Sequence, residues 1–419
     1  MQNSIYDGIV YYLDDKLYME NICIEDLVKN YNGPAFIYSK QRLVNNIESI
    51  RNAFYQRYPN CSIHFAYKAC YIPGILRIIK ENQIAAEVCS SYEFEMAKKN
   101  GLSNNVVWNS PGKTEDEMKN LLENKINWNV DSLEEAIRIN NLAKAHDRCI
   151  DIGIRINPDI SDLHSKIEAG GKLGVDVASG QAYLVCQEIK KMSNVRLAGL
   201  HCHISVENTT PTNHVKALKG LVAFAEKLYN NLGIELDYIS PGGGFGSRNH
   251  MKSAGNTIDD FAEAMCPIIK ELKYQPKLIL EPGRYLVDDA AICIGKILCE
   301  KECGSEIWWI TDMGTNILMP FFGREYDVLP IKRHGRDMVT VQIGDRTSSF
   351  AGIIKRNAQI EQQNVEDYIV ALNCGSYSFS CVQNYMYPMT CEFFIVDKDK
   401  VDLLYKQKTE EQYINELYQ

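Results

Sequence analysis

No stretch of this chain approaches the run of about 18 apolar residues that a membrane-spanning helix needs. Its opening, Met1-Gln2-Asn3-Ser4-Ile5-Tyr6-Asp7, has neither a basic segment nor a long apolar one, so no secretory signal is read there. Positive charge is also in short supply: 45 Lys and Arg against 54 Asp and Glu leave a net charge of −9 and a pI near 5.5. That balance argues against nucleic acid or an anionic membrane surface as a partner. Low-complexity tracts are absent, and metal-ligand spacing is missing. The 14 cysteines are scattered, and the close pair Cys299 and Cys303 has no second pair or histidines at ligand distance in sequence. Reduced thiols in a cytoplasmic protein are the expected state.

What is present is a repeat. Short runs rich in β-branched and aromatic residues occur at 63–69, 84–88, 105–108, 126–130, 150–156, 195–203, 236–240 and 277–280, with helix-patterned sequence between them. Eight such units over roughly 220 to 250 residues predict a closed (β/α)8 barrel. The 419 residues leave room for one smaller domain beside it.

A barrel of this kind places its chemistry where strands end and βα loops begin. Here the runs are followed by Lys68, Glu87, Asn109 with Lys113, Asp131, Arg155 with Asn157, His203, the glycines of Ser240-Pro241-Gly242-Gly243-Gly244-Phe245-Gly246, and Glu281. Each alone has an ordinary reading: a strand-end lysine is usually a solvated charge, a histidine a satisfied polar residue, a glycine run a tight turn, and Glu281-Pro282-Gly283-Arg284 a turn with a surface ion pair. Their coincidence at strand ends of one repeat is what carries weight. His201 and His203 are expected to face opposite sides of their strand, leaving one ring, His203, for the barrel mouth.

This set suits pyridoxal 5′-phosphate. A lysine amine can form an imine with the cofactor aldehyde, and burial beside other positive groups brings such an amine toward neutrality. Backbone N–H groups of a glycine-rich loop can cradle a dianionic phosphate. A carboxylate against the ring nitrogen keeps the pyridinium protonated, which makes the ring an electron sink. Glu281 is placed for that task and His203 for packing on the ring face.

The chain resembles the fold-type III pyridoxal phosphate-dependent decarboxylases, the ornithine/diaminopimelate/arginine decarboxylase family, and within it most of all diaminopimelate decarboxylase. The motifs that carry the resemblance run in family order: Asp7-Gly8 and Gly33-Pro34-Ala35-Phe36-Ile37-Tyr38, Phe65-Ala66-Tyr67-Lys68-Ala69, Glu87-Val88-Cys89-Ser90-Ser91-Tyr92-Glu93, Ser110-Pro111-Gly112-Lys113, Arg155-Ile156-Asn157-Pro158, Gly199-Leu200-His201-Cys202-His203-Ile204, Gly242-Gly243-Gly244-Phe245-Gly246, Glu281-Pro282-Gly283-Arg284, and Cys374-Gly375-Ser376-Tyr377 with Asn384-Tyr385. The resemblance implies an α/β, alanine-racemase-like (β/α)8 barrel with a second, all-β domain of sandwich or barrel-like form. The expected boundaries are 1–38 for the first part of the β domain, 39–288 for the barrel and 289–419 for the rest of the β domain. It also implies that Lys68 carries the cofactor as an aldimine, that His203 stacks on the ring, and that Glu281 pairs with its nitrogen. Gly242, Gly243, Gly244, Gly283, Arg284 and Tyr377 would hold the cofactor, and active sites would be shared across a homodimer.

The departures concern substrate reading. Where the family offers a Gly-Pro-x-Cys-Glu-(Ser/Thr)-x-Asp segment to its partner's site, this chain has Gly344-Asp345-Arg346-Thr347-Ser348-Ser349-Phe350-Ala351. Thr347 stands for the cysteine, Ser348 for the glutamate and Ala351 for the last aspartate. The stretch Asn316-Ile317-Leu318-Met319-Pro320-Phe321 lacks the arginine before proline, although Arg324 is near, and Ser205-Val206-Glu207 replaces Gly-Ser-Gln, which resembles the carboxynorspermidine decarboxylase branch more than the diaminopimelate one. Arg284, Arg324, Thr347 and Ser348 are the candidates for substrate contact. The expected activity is decarboxylation of an amino acid or amino-acid-derived intermediate, free or carrier-tethered, through a ring-stabilised carbanion. The alternatives are a racemase or epimerase on the same scaffold and a catalytically altered cofactor-binding homologue.

Overall fold

The computed structural model describes residues 5–29, 31, 33–158, 171–318, 324–381, 384–388, 391–406 and 408–419. They divide into two compact units, one of residues 47–68 and 76–285, the other of residues 1–46, 69–75 and 286–419.

The first unit is the barrel. Its parallel strands are β1 (Cys61–Ala66), β2 (Ala85–Val88), β3 (Val106–Asn109), β4 (Ile126–Val130), β5 (Ile150–Asn157), β6 (Val195–His201), β7 (Tyr238–Ser240) and β8 (Lys277–Leu280). Neighbours pair in chain order, and β8 closes on β1 with Leu278 opposite Cys61 and Leu280 opposite Ile63. A two-residue strand, Val175–Asp176, extends the sheet beside β5. β2 and β3 are buried at every position, because helices cover the outside of a barrel while side chains fill the inside. Tyr238 is one of the fillers: a Cβ added at Gly199 would lie 2.1 Å from its ring, and one added at Gly153 2.2 Å from its hydroxyl. Two strands thus give up side chains to admit one large ring.

The helices start where the sequence supplies caps. Ser90, Thr114 and Ser132 each accept a backbone N–H from a glutamate three residues on, Glu93, Glu117 and Glu135, the S/T-x-x-E pattern that satisfies orphan donors at a helix start. Strand ends 2, 3 and 4 are fixed in this way.

The second unit is mainly β. Its large sheet runs in the order Ile353–Glu361, Met338–Asp345, Glu306–Thr311, Ala291–Cys303, Ala35–Ser39, Glu392–Asp397 and Lys400–Lys406, and Tyr368–Leu372 pairs both Val328–Pro330 and Ala291–Cys303. A three-stranded antiparallel sheet of Val10–Leu13, Lys16–Met19 and Ile22–Cys23 stands apart. Leu17, Met19, Ile37, Ile292, Ile294 and Val370 belong to one apolar core cluster there. Buried Arg42 bridges Asp7 at 2.8 Å and Asp289 at 2.7 Å, which ties the start of the unit to its return segment.

Candidate active site

β1 ends at Ala66, and Tyr67–Ala69 form a single 3-10 turn that lifts Lys68 off the strand. Lys68 Nζ lies 2.5 Å from Glu87 Oε2 of β2 and 3.4 Å from Cys89 Sγ, whose thiol in turn lies 3.1 Å from Glu87 Oε1. The lysine side chain is 42% exposed and the glutamate 1%. The amine is therefore reachable while its counter-charge is fixed. Glu93 Oε2 accepts the Cys89 N–H at 2.7 Å, and burial pushes the Glu93 carboxyl up to about 7, opposed by that hydrogen bond.

Glu281 follows β8. Ser240 Oγ donates to its Oε1 at 2.7 Å, while Asn109 Nδ2 at 3.0 Å and His201 Nε2 at 3.2 Å meet its Oε2. Burial alone would favour the protonated acid, but His201, Ser240 and Lys68 outweigh it and hold the carboxyl down at about 2. An ionised carboxylate offers about four acceptor positions. Three are filled here, and one is left for a further N–H donor, as a pyridinium requires.

The glycine loop is packed against backbone on three sides. A Cβ at Gly242 would meet the Cys202 carbonyl at 2.5 Å, at Gly243 the Glu281 carbonyl at 2.1 Å and at Gly244 the Ser205 carbonyl at 2.2 Å. Gly242 and Gly244 also have φ of 78° and 84°, which glycine adopts without strain. Gly242 N–H donates to Ser240 Oγ at 3.1 Å and Gly243 N–H to His203 Nδ1 at 3.3 Å. Burial, then Arg155 and Lys68, push His203 down to about 3, so its ring is neutral. Amine, ionised carboxylate, neutral ring and glycine cradle together fit pyridoxal phosphate.

One expectation about the histidines fails. His201 and His203 do not divide between two sides: His201 reaches Glu281, and His203 reaches the glycine loop. Residues two apart share one side of a strand, so opposite faces were never available to them. β6 ends at His201, and His203 lies beyond it.

Lys113, also at a strand end, is buried in an ion pair with Glu135 at 2.8 Å and bonds the Asn129 carbonyl at 2.8 Å. Asp131 accepts the Gly174 N–H. Arg155 is buried, and its Nε has no hydrogen-bond partner. Arg284 Nη1 lies 4.0 Å from Glu207 Oε2. In the second unit, Tyr377 is held at a φ of 60° and donates its N–H to the carbonyl of Ala69, the residue that follows Lys68 in sequence. Arg324 pairs with buried Asp288 at 2.6 Å and bonds the Asn373 carbonyl. Thr347 folds onto Asp345, and Ser348 donates to Met386 Sδ. Met319, Pro320 and Phe321 lie outside the described residues.

Sequence reasoning missed Asn129, Tyr238, Cys89 and His201 as members of this network. For Asn129 the signal is period two: Asn127 and Asn129 alternate with apolar residues in β4, which places two amides on one side of an otherwise apolar strand.

Residues 44–288 match the model of the pyridoxal-dependent decarboxylase, pyridoxal binding domain. The chain belongs to this family and is a pyridoxal phosphate-dependent decarboxylase, a carboxy-lyase, with a barrel and a β-rich second part. It is 27% identical over 412 residues to a diaminopimelate decarboxylase of Aquifex aeolicus, covering 96% of each chain. The crystal structure of diaminopimelate decarboxylase from Methanocaldococcus jannaschii superposes with a TM-score of 0.90 at 26% identity, over 98% of both chains. A more distant relative, at 23% identity over 85% of this chain and 87% of its own, is the L-glutamyl-[BtrI acyl-carrier protein] decarboxylase of Niallia circulans. None of these relatives is a racemase.

Proposed function

We propose that Lys68 anchors the cofactor, that Glu281 faces its ring nitrogen and His203 its ring face, that Gly242, Gly243, Gly244 and Tyr377 hold its phosphate, and that Gly283 and Arg284 line the cofactor site, Arg284 toward either the phosphate or the substrate carboxylate. The observation that carries this reading is the contact of an exposed amine with a buried carboxylate, Lys68 with Glu87, on the same barrel rim as Glu281. Once bound, the cofactor supplies an electron sink for the pair left behind when CO2 departs. The protein's own part is to hold Glu281 charged, keep His203 neutral and orient the bond that breaks.

For the substrate, we infer an amino acid whose distal group is neutral or anionic, free or carrier-tethered. Residues 344–351 contain one carboxylate, Asp345, and it is already committed: it accepts Thr315 N–H at 2.7 Å, Thr347 N–H at 2.9 Å and Thr347 Oγ1 at 2.7 Å. Arg346 lies 4.0 Å from the Tyr387 ring, a cation in the stretch where family members carry acids. A distal ammonium would meet repulsion there. A carrier-bound glutamyl substrate is named for one relative, which supports tethered substrates as part of the range. Arg284, with Thr347 and Ser348, remains a candidate for substrate contact, whereas Arg324 is engaged by Asp288.

We also propose a homodimer with shared sites in a reducing cytoplasm. None of the 14 cysteines is in a disulfide, and among the described residues no helix is long and apolar enough to cross a membrane. Sedimentation at micromolar concentration tests the dimer, and a monomer there contradicts it. The substrate reading is tested by incubating holoenzyme with L-, D- and meso-amino acids, polyamine carboxylates and carrier-linked aminoacyl substrates, scoring CO2 and product mass. A kcat/KM on meso-diaminopimelate above roughly 10⁴ M⁻¹s⁻¹, the ordinary enzymatic range, would overturn it and make diaminopimelate the substrate.

A further inference from the structure

Asn109, the buried last residue of β3, occupies an unusual position between two acids. One proton of its Nδ2 points to Glu87 Oε1 at 3.1 Å and the other to Glu281 Oε2 at 3.0 Å. Its Oδ1 accepts from Asn129 Nδ2 at 2.7 Å, and Asn129 Oδ1 accepts from the Tyr238 hydroxyl at 2.7 Å. Asn129 is fixed in turn by its carbonyl, which takes the Lys113 ammonium. Every bond in this chain points the same way, from Tyr238 toward the two carboxylates, so the amide dipoles add and their positive ends face the acids.

The two acids have different duties in the reading above: Glu87 holds the Lys68 amine, and Glu281 faces the cofactor ring. We propose that Asn109 is a positioning residue that couples them, sharing one amide between the two carboxylates so that both stay charged and at a fixed separation. Lacking any donor, the side chain of an apolar residue could not do this. Aspartate, of the same size, would set a third carboxylate against two others within hydrogen-bonding distance, and one of the three would have to take a proton. That proton would lower the charge facing either Lys68 or the ring. Glutamine is no substitute, because one more methylene pushes the amide past both acceptors.

The inference rests on the assignment of Lys68 and Glu281 to the cofactor, and its test separates the two. Wild-type, Asn109→Asp, Asn109→Ser and Lys68→Ala holoenzymes are prepared, and the absorbance of the bound cofactor is titrated with pH alongside thermal unfolding, kcat and KM. The titrating groups that face Glu87 are Lys68, Cys89 and Glu93; those that face Glu281 are Lys68, His64, His201, Cys202, His203 and Tyr238. All are unchanged in the Asn109 variants.

The expected result is a titration midpoint displaced by one pH unit or more in N109D, with kcat lowered at least tenfold and KM within threefold of wild type. N109S, which keeps one donor on a shorter arm, is expected to move the same way by a smaller step, at least 0.3 unit. Should N109D fail to fold or to take up cofactor, N109S alone decides. A midpoint unchanged from wild type in a folded N109D or N109S, with the band lost in K68A, overturns the role of Asn109 and leaves the anchor standing. A band that survives in K68A overturns the anchor and this inference with it.

Discussion

Lys68 Nζ lies 2.5 Å from Glu87 Oε2, which joins the end of β1 to the end of β2 through an amine that solvent can reach and a carboxylate that it cannot. This asymmetry defines the site. A surface ion pair exposed on both sides contributes little and orients nothing. A buried carboxylate already held by Asn109 fixes where the ammonium can go, and the chain spends a desolvated charge to fix it.

Removing the amine should remove the chemistry. Lys68→Ala is expected to abolish turnover and the absorbance of lysine-bound cofactor, without loss of the fold, because no covalent route to the cofactor remains. A variant that keeps both would place the anchor on another lysine.

Glu281→Gln should behave differently. The amide keeps the size and part of the hydrogen bonding but lacks the charge that Ser240, Asn109 and His201 sustain. Cofactor should still bind, and kcat should fall by about two orders of magnitude or more, as the ring nitrogen loses its anionic partner. An unchanged kcat would exclude Glu281 from the mechanism.

Acid should weaken the fold through its buried neutral histidines. Burial pushes His64 and His214 down to about 4 and, with Arg155 and Lys68, His203 down to about 3. In the unfolded chain each takes up its proton near pH ~6.5. The folded-state value is depressed, so the stability contribution is complete above that pH and is lost as pH falls toward 4. At pH 5.5 the loss is about 1 kcal/mol per histidine. Glu93, raised to about 7, has the opposite sign between pH 7 and its ordinary range and returns about 2 kcal/mol at pH 5.5. The net expectation is a lower urea midpoint at pH 5.5 than at pH 7.5, with His214→Gln losing less between the two. An equal or higher midpoint at pH 5.5 would show that these histidines are not held neutral.

The barrel was legible because its signals are local: eight short β-branched runs, each followed by a helix pattern, and the strand ends that carry Lys68, Glu87, Asn109 and Glu281 all fall where the spacing predicts. The S/T-x-x-E caps at Ser90, Thr114 and Ser132 could likewise be read as helix starts. What was not legible depends on how strands stagger. Nothing local says that Asn109 spans from Glu87 to Glu281, 172 residues apart in sequence from Asn109, or that Lys113 turns inward to Glu135. Nor does sequence order show that 69–75 cluster with the β unit rather than with the barrel that surrounds them in the chain. The departure at 344–351 was visible as missing acids, but the commitment of Asp345 to Thr315 and Thr347 needed the loop's geometry.

The most direct measurement is to reduce the holoenzyme with borohydride, which fixes the cofactor to whichever amine holds it, then digest the protein and map the adduct by mass spectrometry. The account predicts a single pyridoxyl group on the peptide containing Phe65-Ala66-Tyr67-Lys68-Ala69, at Lys68. An adduct on any other lysine, or none after reduction of a protein saturated with pyridoxal phosphate, would contradict it.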